Sequence, residues 1–378
     1  MRILTISEVY PTKEKSQYGV FIKQQMDELE RLGYDVDVLI PFRSKKNGIV
    51  METEFDGKKV YSIDYPVIRY ELFLKQVAHS VYVELKKLIK KNNYDLLAVH
   101  ITGDTILKII ADIGKELNIP VVAHYHGLNV WKEYVNKHPS RQRFYARRRA
   151  RILRQVQAIV GVSNKVSDIV RERIKNTPIY TVYNGVETEL FYPQTEKEKN
   201  FIIIGVGNLI SIKGFCYLIQ AFAKLYENNK SIRLKIVGEG IERTQLETLA
   251  KEKGVSQATT FLGKLPYDKV ALEMRTSNLF VLPSFYEALG CVYLEAMACG
   301  IPTIGVKGMG IDEIIVDGEN GLLVEQKDVN SLSEKIKLVL DNEELADKLG
   351  ENGRKTALEY TWKASAIVLD KVYRSTLR

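Results

Sequence analysis

The chain has 378 residues, 45% of them hydrophobic and 27% charged, a balance that is ordinary for a soluble globular protein. Its length suits two domains of about 190 residues better than a single core. There is no run of about 18 uncharged apolar residues, which excludes a membrane-spanning helix, and the three cysteines, an odd number without metal-type spacing, suit a reducing compartment such as the cytoplasm.

The net charge of +8 is distributed unevenly along the chain. Residues 1–190 carry 31 basic and 22 acidic side chains, whereas the remainder carries 24 and 25. This asymmetry predicts that the two halves of the protein meet different partners.

The first half alternates apolar, strand-like runs with amphipathic helical patterns. Continuous buried strands separated by helices favour a parallel, doubly wound sheet. In chain order the elements are RILTIS, GVFIKQQMDELERLG, YDVDVLIP, ELFLKQVAHSVYVELKKLIKK, YDLLAVHI, TILKIIADIGKELN, IPVVAHYH, SRQRFYARRRARILRQ, AIVGVS and IYTVYNGVE. Asp35 and Asp37 form a DxD pattern, which elsewhere binds metal, but at the start of a strand we interpret them as structural.

The same alternation restarts after the polar stretch YPQTEKEKN. We therefore predict an α/β fold of two Rossmann-like, doubly wound parallel sheets, with domains at 1–190 and 191–359. The helix at about 360–378 is predicted to pack back on the first domain. Ligands are expected at the carboxyl ends of the strands, in a cleft that both sheets face.

Two glutamates, Glu287 and Glu295, lie eight residues apart in an otherwise apolar stretch that ends at Gly300. Eight helical residues span about 12 Å, too far for the carboxylate pair of a glycoside hydrolase, which needs roughly 5–9.5 Å. The backbone amides of Leu289 and Gly290 lie between them, at a predicted helix start that favours anions. A nucleotide-sugar has a matching order of groups: sugar hydroxyls, a diphosphate and ribose hydroxyls. A carboxylate at each end can accept hydrogen bonds from the hydroxyls, and the amides between them can bind the diphosphate. The alternative is that Glu295 is a helix-face acid paired with a nearby lysine.

Several stretches together resemble glycosyltransferase family 4, whose members are retaining, metal-independent enzymes of the GT-B fold. The resemblance runs over nearly the whole chain and is carried by EALGCVYLEAMACGIP, GVGNLISIKGFCYLIQAF, IVGEGIERTQLETLA, FLG and VYNGVETELFYP. It implies that the first domain binds the acceptor and that the second binds the nucleotide-sugar.

The resemblance also implies roles for single residues on the donor side. Glu287 would contact the donor sugar, Glu295 the ribose, and Lys213 the diphosphate. Asn208 stands where the family usually has an arginine, and an asparagine donates hydrogen bonds to phosphate without carrying a charge.

On the acceptor side, His126 corresponds to the family's active-site histidine, and Gly19 to the glycine-rich loop near the donor phosphate. The catalytic residues would thus be His126, Glu287 and Lys213. His124 lies two residues before His126 on a strand, so it is predicted to face the opposite way and to pack. No third ligand is evident near this His-x-His pair, and no metal or other cofactor is predicted.

Seven arginines occur within fourteen residues that contain no acid: Arg141, Arg143, Arg147, Arg148, Arg149, Arg151 and Arg154. A solvated helix face is one interpretation. A nucleic-acid site is disfavoured, because no known module or aromatic stacking platform accompanies the run. The third interpretation is contact with anionic lipid headgroups or a phosphate-bearing acceptor, with Arg147, Arg148 and Arg151 as the contact residues.

The predicted function is transfer of a sugar from a nucleotide-diphosphate sugar, such as a UDP-sugar, to a lipid-linked saccharide in capsule, exopolysaccharide or cell-wall polymer synthesis. The enzyme would be cytoplasmic and peripheral on the inner face of the cell membrane. Two alternatives stay open at this point. One is a transferase that acts on a small free acceptor such as a sugar phosphate, and the other is a nucleotide-binding module or dehydrogenase without transferase activity.

Overall fold

The computed structural model describes residues 1–12, 18–44, 50–66, 71–100, 102–131, 139–194 and 199–377. The chain divides into two compact units, one made of residues 1–183 with 365–378 and the other of residues 184–364. Among the described residues, every helix is too short or too polar to cross a lipid bilayer.

The first unit is built on an eight-stranded sheet in the order β3-β4-β2-β1-β5-β6-β7-β8. All neighbouring strands are parallel except the β3–β4 pair. The strands are β1 (Arg2–Ile6), β2 (Asp35–Ser44), β3 (Val50–Phe55), β4 (Lys58–Pro66), β5 (Leu96–Val99), β6 (Val121–Tyr125), β7 (Ala158–Gly161) and β8 (Ile179–Thr181). The helices between them are α1 (Val20–Arg31), α2 (Glu71–Asn92), α3 (Asp104–Leu117), α4 (Pro139–Leu153) and α5 (Asn164–Arg171).

The second unit is built on a six-stranded, wholly parallel sheet in the order β11-β10-β9-β12-β13-β14. Its strands are β9 (Phe201–Val206), β10 (Ile232–Val237), β11 (Thr259–Gly263), β12 (Leu279–Val281), β13 (Thr303–Val306) and β14 (Leu322–Val324). Its helices are α6 (Phe215–Asn228), α7 (Arg243–Glu252), α8 (Tyr267–Thr276), α9 (Cys291–Ala298), α10 (Val329–Asp341) and α11 (Glu343–Glu359). The two parallel α/β sheets confirm the predicted fold class.

The last helix, α12 (Trp362–Thr376), supplies apolar side chains to the first unit. Ala366, Leu369 and Tyr373 are fully buried in the hydrophobic cluster of that unit, together with residues of β1, β2 and β5. Tyr34 also donates a hydrogen bond to Asp370 on this helix.

The sequence interpretation missed the hairpin formed by β3 and β4. Its turn is Asp56-Gly57, where both residues have positive φ, 52° and 74°. An Asp-Gly pair is the preferred sequence for this kind of two-residue turn, so the signal was present. It was overlooked because most of β3 is exposed and the strand therefore lacks the apolar run of a buried strand.

The DxD pattern is structural, as predicted. Asp37 is buried at the start of β2, where its carboxylate accepts hydrogen bonds from the Arg2 guanidinium at 2.8 Å and from the Tyr94 hydroxyl at 2.6 Å.

Candidate functional site

Lys213 and Glu287 form an ion pair at the carboxyl ends of two neighbouring strands. Lys213 follows β9 and Glu287 follows β12, and these strands are adjacent in the sheet of the second unit. The pair is mostly shielded from solvent, with 18% of the Lys213 side chain and 14% of the Glu287 side chain exposed. The structure thus joins two of the predicted donor-binding residues, which are separated by 74 positions in the sequence.

Backbone packing holds these two loops together. Gly214, directly after Lys213, has a φ of 71°, and a side chain there would overlap the carbonyl of Pro283. The amide of Phe285 and the hydroxyl of Ser284 both donate to the carbonyl of Ile212, at 3.0 and 3.1 Å. Close approach of the two backbones therefore requires glycine at position 214.

The segment from Glu287 to Gly290 leads directly into α9. Gly290 is the N-cap of this helix, with a φ of 81°, and Leu289 before it is buried. The carbonyl of Glu287 accepts a hydrogen bond from the amide of Gly310 at 3.1 Å, which fixes the loop after β12 against the loop after β13. The unpaired amides and the dipole of a helix N-terminus attract anions, so α9 presents a phosphate-compatible end beside Lys213 and Glu287.

Glu295 lies one turn inside α9 and is only 6% exposed. Its carboxylate accepts a hydrogen bond from the Tyr267 hydroxyl at 2.9 Å, and no ion pair to it occurs within the described ranges. The interpretation of Glu295 as a helix-face acid paired with a lysine is therefore wrong. The pKa of Glu295 is raised to about 7, mainly by burial and to a smaller extent by the negative charge of Glu187, while the hydrogen bond from Tyr267 acts in the opposite direction. The sequence contains no signal for the role of Tyr267, which comes from a different helix.

Two other side chains bear on the chemistry of this unit. Asn208 is exposed in the loop after β9. Burial raises the pKa of the Cys291 thiol to about 12, so near pH 7 this cysteine is protonated.

Three histidines cluster in the first unit, and the third, His100, was missed by the sequence analysis. His100 follows β5 and His126 follows β6, which are neighbouring strands, so their carboxyl ends meet. His100 Nδ1 and His126 Nε2 are hydrogen-bonded at 3.0 Å, with ring planes only 20° apart. His124 stacks on His100 with ring centroids 4.1 Å apart.

The position of His124 corrects one prediction and confirms another. It does not face away from His126, because side chains two residues apart along an extended strand lie on the same face of the sheet, so the prediction misapplied the alternation. Its role in packing is confirmed, since His124 is 3% exposed and its Nε2 lies 3.0 Å from the buried hydroxyl of Tyr373 on α12.

A cavity of about 200 Å³ opens beside these rings, and His100, His124, His126 and Asn129 contribute to its lining. Burial lowers the pKa of all three imidazoles, that of His126 to about 4, so they are neutral near pH 7. His126 Nδ1 and His100 Nε2 are buried and have no hydrogen-bond partner within the described ranges. Two imidazole nitrogens of rings that line the cavity are therefore unsatisfied among the described residues.

Within the described residues, the three imidazoles also form a group that could hold a metal ion, because one nitrogen from each ring lies within 4.8 Å of the others. The expectation that His124 and His126 lack a third ligand nearby is thus wrong. The ring geometry nevertheless disfavours coordination. Imidazole lone pairs lie in the ring plane, and the planes of the stacked His100 and His124 are nearly parallel, so one ion cannot lie in both planes. In addition, His100 Nδ1 and His126 Nε2 are already joined by a hydrogen bond.

Gly19 caps the start of α1 with a φ of 82°, and a side chain there would collide with the backbone of Val9. Phe21, two residues later, packs against the ring of His126 with centroids 5.0 Å apart. The glycine turn and the candidate active-site histidine are therefore close neighbours in the first unit.

The arginine run does not form a single surface. Arg147 and Arg151 on α4 are exposed, and Arg148 is half-buried. Arg149 is buried, and its guanidinium pairs with the carboxylate of Asp104 and donates to the carbonyl of Val130. The interpretation as one solvated helix face fails for Arg149, while the side chain of Arg141 lies outside the described residues.

Two family models match the chain in succession. The one described as Glycosyltransferase Family 4 matches residues 19–190, and the one described as Glycosyl transferases group 1 matches residues 186–356. Among curated proteins, N-acetyl-alpha-D-glucosaminyl L-malate synthase of Bacillus anthracis is 29% identical over 378 residues, covering 95% of this chain and 94% of the relative.

Solved structures share the fold over the full length. Sucrose-phosphate synthase from Thermosynechococcus elongatus matches with a TM-score of 0.78 and 22% identity, covering 99% of this chain and 98% of the other. Anabaena Alr3699/HepE, in a complex with UDP and glucose, matches with a TM-score of 0.77 and 16% identity, covering 99% and 100%. The chain therefore belongs to the family 4 glycosyltransferases and is an enzyme of the GT-B fold.

Proposed function

We propose that the protein is a retaining glycosyltransferase whose second unit binds a nucleotide-diphosphate sugar, with UDP-sugars as the first candidates. The observation that carries this proposal is the Lys213–Glu287 pair beside the N-terminus of α9. The ammonium group and the helix start fit the diphosphate of such a donor, and the carboxylate fits its sugar. All three lie at the carboxyl ends of neighbouring strands. The UDP and glucose in the Anabaena complex support the choice of nucleotide.

In the proposed mechanism the nucleoside diphosphate leaves while its developing charge is stabilised. Lys213 would supply the positive charge, and the amides of Leu289 and Gly290 would add the field of the helix start. Glu287 would orient the donor sugar, and Glu295 would bind the ribose. Asn208 would add a neutral hydrogen-bond donor to the phosphates.

The first unit would contribute the acceptor side. Gly19 would let the backbone approach the donor phosphate closely, and His126 would position the sugar and the acceptor. Its Nδ1 has no hydrogen-bond partner among the described residues, and its pKa of about 4 keeps the ring neutral, so it can serve as a hydrogen-bonding group without carrying charge. The hydrogen bond between His100 and His126 would hold the ring in one orientation.

For the acceptor we propose a lipid-linked saccharide of a capsule, exopolysaccharide or cell-wall polymer, reached at the cytoplasmic face of the membrane. The exposed basic side chains of α4 support this choice. The second candidate is a small free acceptor, and it is favoured by the names of two similar proteins, the L-malate synthase and the sucrose-phosphate synthase.

A panel of nucleotide-sugars tested by thermal unfolding checks the donor assignment. The correct donor is expected to stabilise the protein by ~2.7 kcal/mol when present at 100 times its Kd. Stabilisation by nicotinamide dinucleotides, without any effect of nucleotide-sugars, would contradict it.

Activity is expected to persist in excess EDTA. In the proposal a lysine and backbone amides neutralise the diphosphate, and Asp35 and Asp37 have structural roles. Nucleoside diphosphate release should be measured before and after chelation. Loss of turnover that manganese or magnesium restores would refute metal independence.

Vesicle binding separates the two acceptor candidates. The protein is expected to co-sediment with anionic vesicles at low salt, to be released at high salt, and to ignore neutral vesicles, because surface charges are screened within a Debye length of ~8–10 Å. Replacing Arg147, Arg148 and Arg151 with glutamate should weaken vesicle binding roughly 100-fold or more, at ~1 kcal/mol per basic residue, and leave donor affinity unchanged. Failure of the wild type to bind anionic vesicles would favour the small acceptor.

A further inference from the structure

A second cavity in the first unit, with a volume of about 420 Å³, is surrounded by arginines. We refer to it as the arginine cavity. Its lining residues are Ala146, Arg147, Ala150, Arg151, Arg154 and Arg173. No lining residue is acidic, and the alanines leave the space between the guanidinium groups open.

Helical spacing and tertiary contacts place the four arginines around this space. Arg147, Arg151 and Arg154 occupy positions i, i+4 and i+7 along α4 and its end, so they share one face. Arg173 comes from the segment after α5, and its guanidinium lies over the ring of Trp131, 5.2 Å from the centroid. The guanidinium of Arg154 donates to the carbonyl of Arg173 at 3.4 Å, which joins the two segments.

Among the described residues, these guanidinium groups have no carboxylate partner. In the part of the chain that the structure describes, none of the four makes an ion pair, whereas the buried Arg149 of the same helix pairs with Asp104. Like charges at i and i+4 destabilise a helix. The carboxyl ends of α4 and α5 offer only about half a negative charge each, too little to offset four positive charges. An external anion would relieve this repulsion.

The arginine cavity lies towards the amino ends of the strands, whereas His126 lies at their carboxyl ends. The helix α4 leads from the carboxyl end of β6 to the amino end of β7. Gln157, just beyond it, is hydrogen-bonded in both directions to Val121, the first residue of β6. His126 follows the last residue of β6 and is five residues beyond Val121, roughly 16 Å along the strand at ~3.3 Å per residue. A ligand in the arginine cavity is therefore separate from the reaction centre.

We propose that the arginine cavity is a binding site for a phosphoryl group with several charged oxygens, a phosphomonoester or a diphosphate. Planar guanidinium groups bind such oxygens in pairs, which gives both affinity and geometric selectivity. The group is carried either by a membrane lipid headgroup or by a free phosphate compound. The site deepens the proposed membrane contact, on which it rests in part because Arg147 and Arg151 belong to both, and it shares no residue with the donor site or the histidine cluster.

Calorimetric titration of the full chain with inorganic pyrophosphate, with and without saturating UDP, tests the site. Pyrophosphate is expected to bind in the presence of UDP, and Arg154→Ala with Arg173→Ala should weaken this binding roughly 100-fold, since each charged hydrogen bond is worth about tenfold. Arg143→Ala is the matched control, because Arg143 is exposed on the same helix and does not line the cavity. Its affinity should stay within about twofold of the wild type. If the double variant fails to fold, Arg147→Gln replaces it, because Arg147 lines the cavity at an exposed position. Its pyrophosphate binding should again be weaker than that of Arg143→Ala.

Pyrophosphate binding that UDP abolishes, or that the double variant retains, would overturn the proposal. The UDP titration itself reports on the donor assignment, so the two can fail separately. Vesicles then identify the source of the phosphoryl group. A lipid source predicts tighter binding to vesicles with phosphatidic acid than to phosphatidylglycerol vesicles of equal surface charge, with release by pyrophosphate. A free source predicts pyrophosphate binding without such a preference.

Discussion

A Glu287→Ala variant is expected to lose turnover by roughly 100-fold while its affinity for UDP stays unchanged or increases. Glu287 is proposed to contact the reacting sugar, whose bonding changes in the transition state, so its loss should appear in kcat. The same substitution removes the ion-pair partner of Lys213 and leaves that ammonium free for the diphosphate. Turnover is measured as release of the nucleoside diphosphate, and UDP affinity by calorimetry.

Glu295→Ala should show the opposite pattern, a weaker donor affinity with a smaller effect on kcat, because a ribose contact is similar in the ground state and the transition state. For Glu287→Ala, the matched control is Glu273→Ala. Glu273 pairs with Lys235 in the same unit at 2.7 Å and is similarly shielded, so this variant reproduces the loss of an ion pair without touching the candidate site. Equal and negligible effects of the Glu287 and Glu295 substitutions would refute the site assignment.

A Glu295→Gln variant is expected to become more stable than the wild type as the pH rises from 5 to 8. The pKa of Glu295 is about 7 in the folded protein, above the model-peptide value of 4.5, because burial disfavours the charged form. Below about pH 4.5 the carboxyl group is protonated in both the folded and the unfolded state, so its ionisation does not reduce the free energy of unfolding. As the pH rises towards 7, the group ionises mainly in the unfolded state, and the free energy of unfolding falls. The full difference amounts to roughly 3 kcal/mol, at ~1.36 kcal/mol per pKa unit.

Chemical denaturation of both proteins at pH 5 and pH 8 measures this effect. The free energy of unfolding of the wild type should fall relative to that of the variant between the two values, and Tyr267→Phe should enlarge the fall, because the hydrogen bond from Tyr267 lowers the pKa of Glu295. Parallel pH profiles for wild type and Glu295→Gln would show that Glu295 ionises normally. A nucleotide whose ribose binds the ionised carboxylate should in turn lower the pKa of Glu295 and bind more tightly at pH 8.

The sequence alone was sufficient for features that depend on neighbouring residues. The alternation of apolar runs and helical patterns identified two parallel α/β sheets, because burial on both faces requires continuous apolar strands. The end of α9 followed from Gly300, whose backbone conformation, with a φ of 68°, favours glycine. The family resemblance followed from motifs of the same local kind.

Only the tertiary structure brought distant residues together. His100 meets His126 because β5 and β6 are neighbours, and Lys213 meets Glu287 because β9 and β12 are. Arg149 differs from its neighbours in the run because it is buried and paired with Asp104, which lies 45 positions away in the sequence. Strand order and helix packing depend on which apolar faces are buried together across the whole unit. The period of a single strand or helix contains no information about its neighbours in space, so these contacts could not be predicted from it.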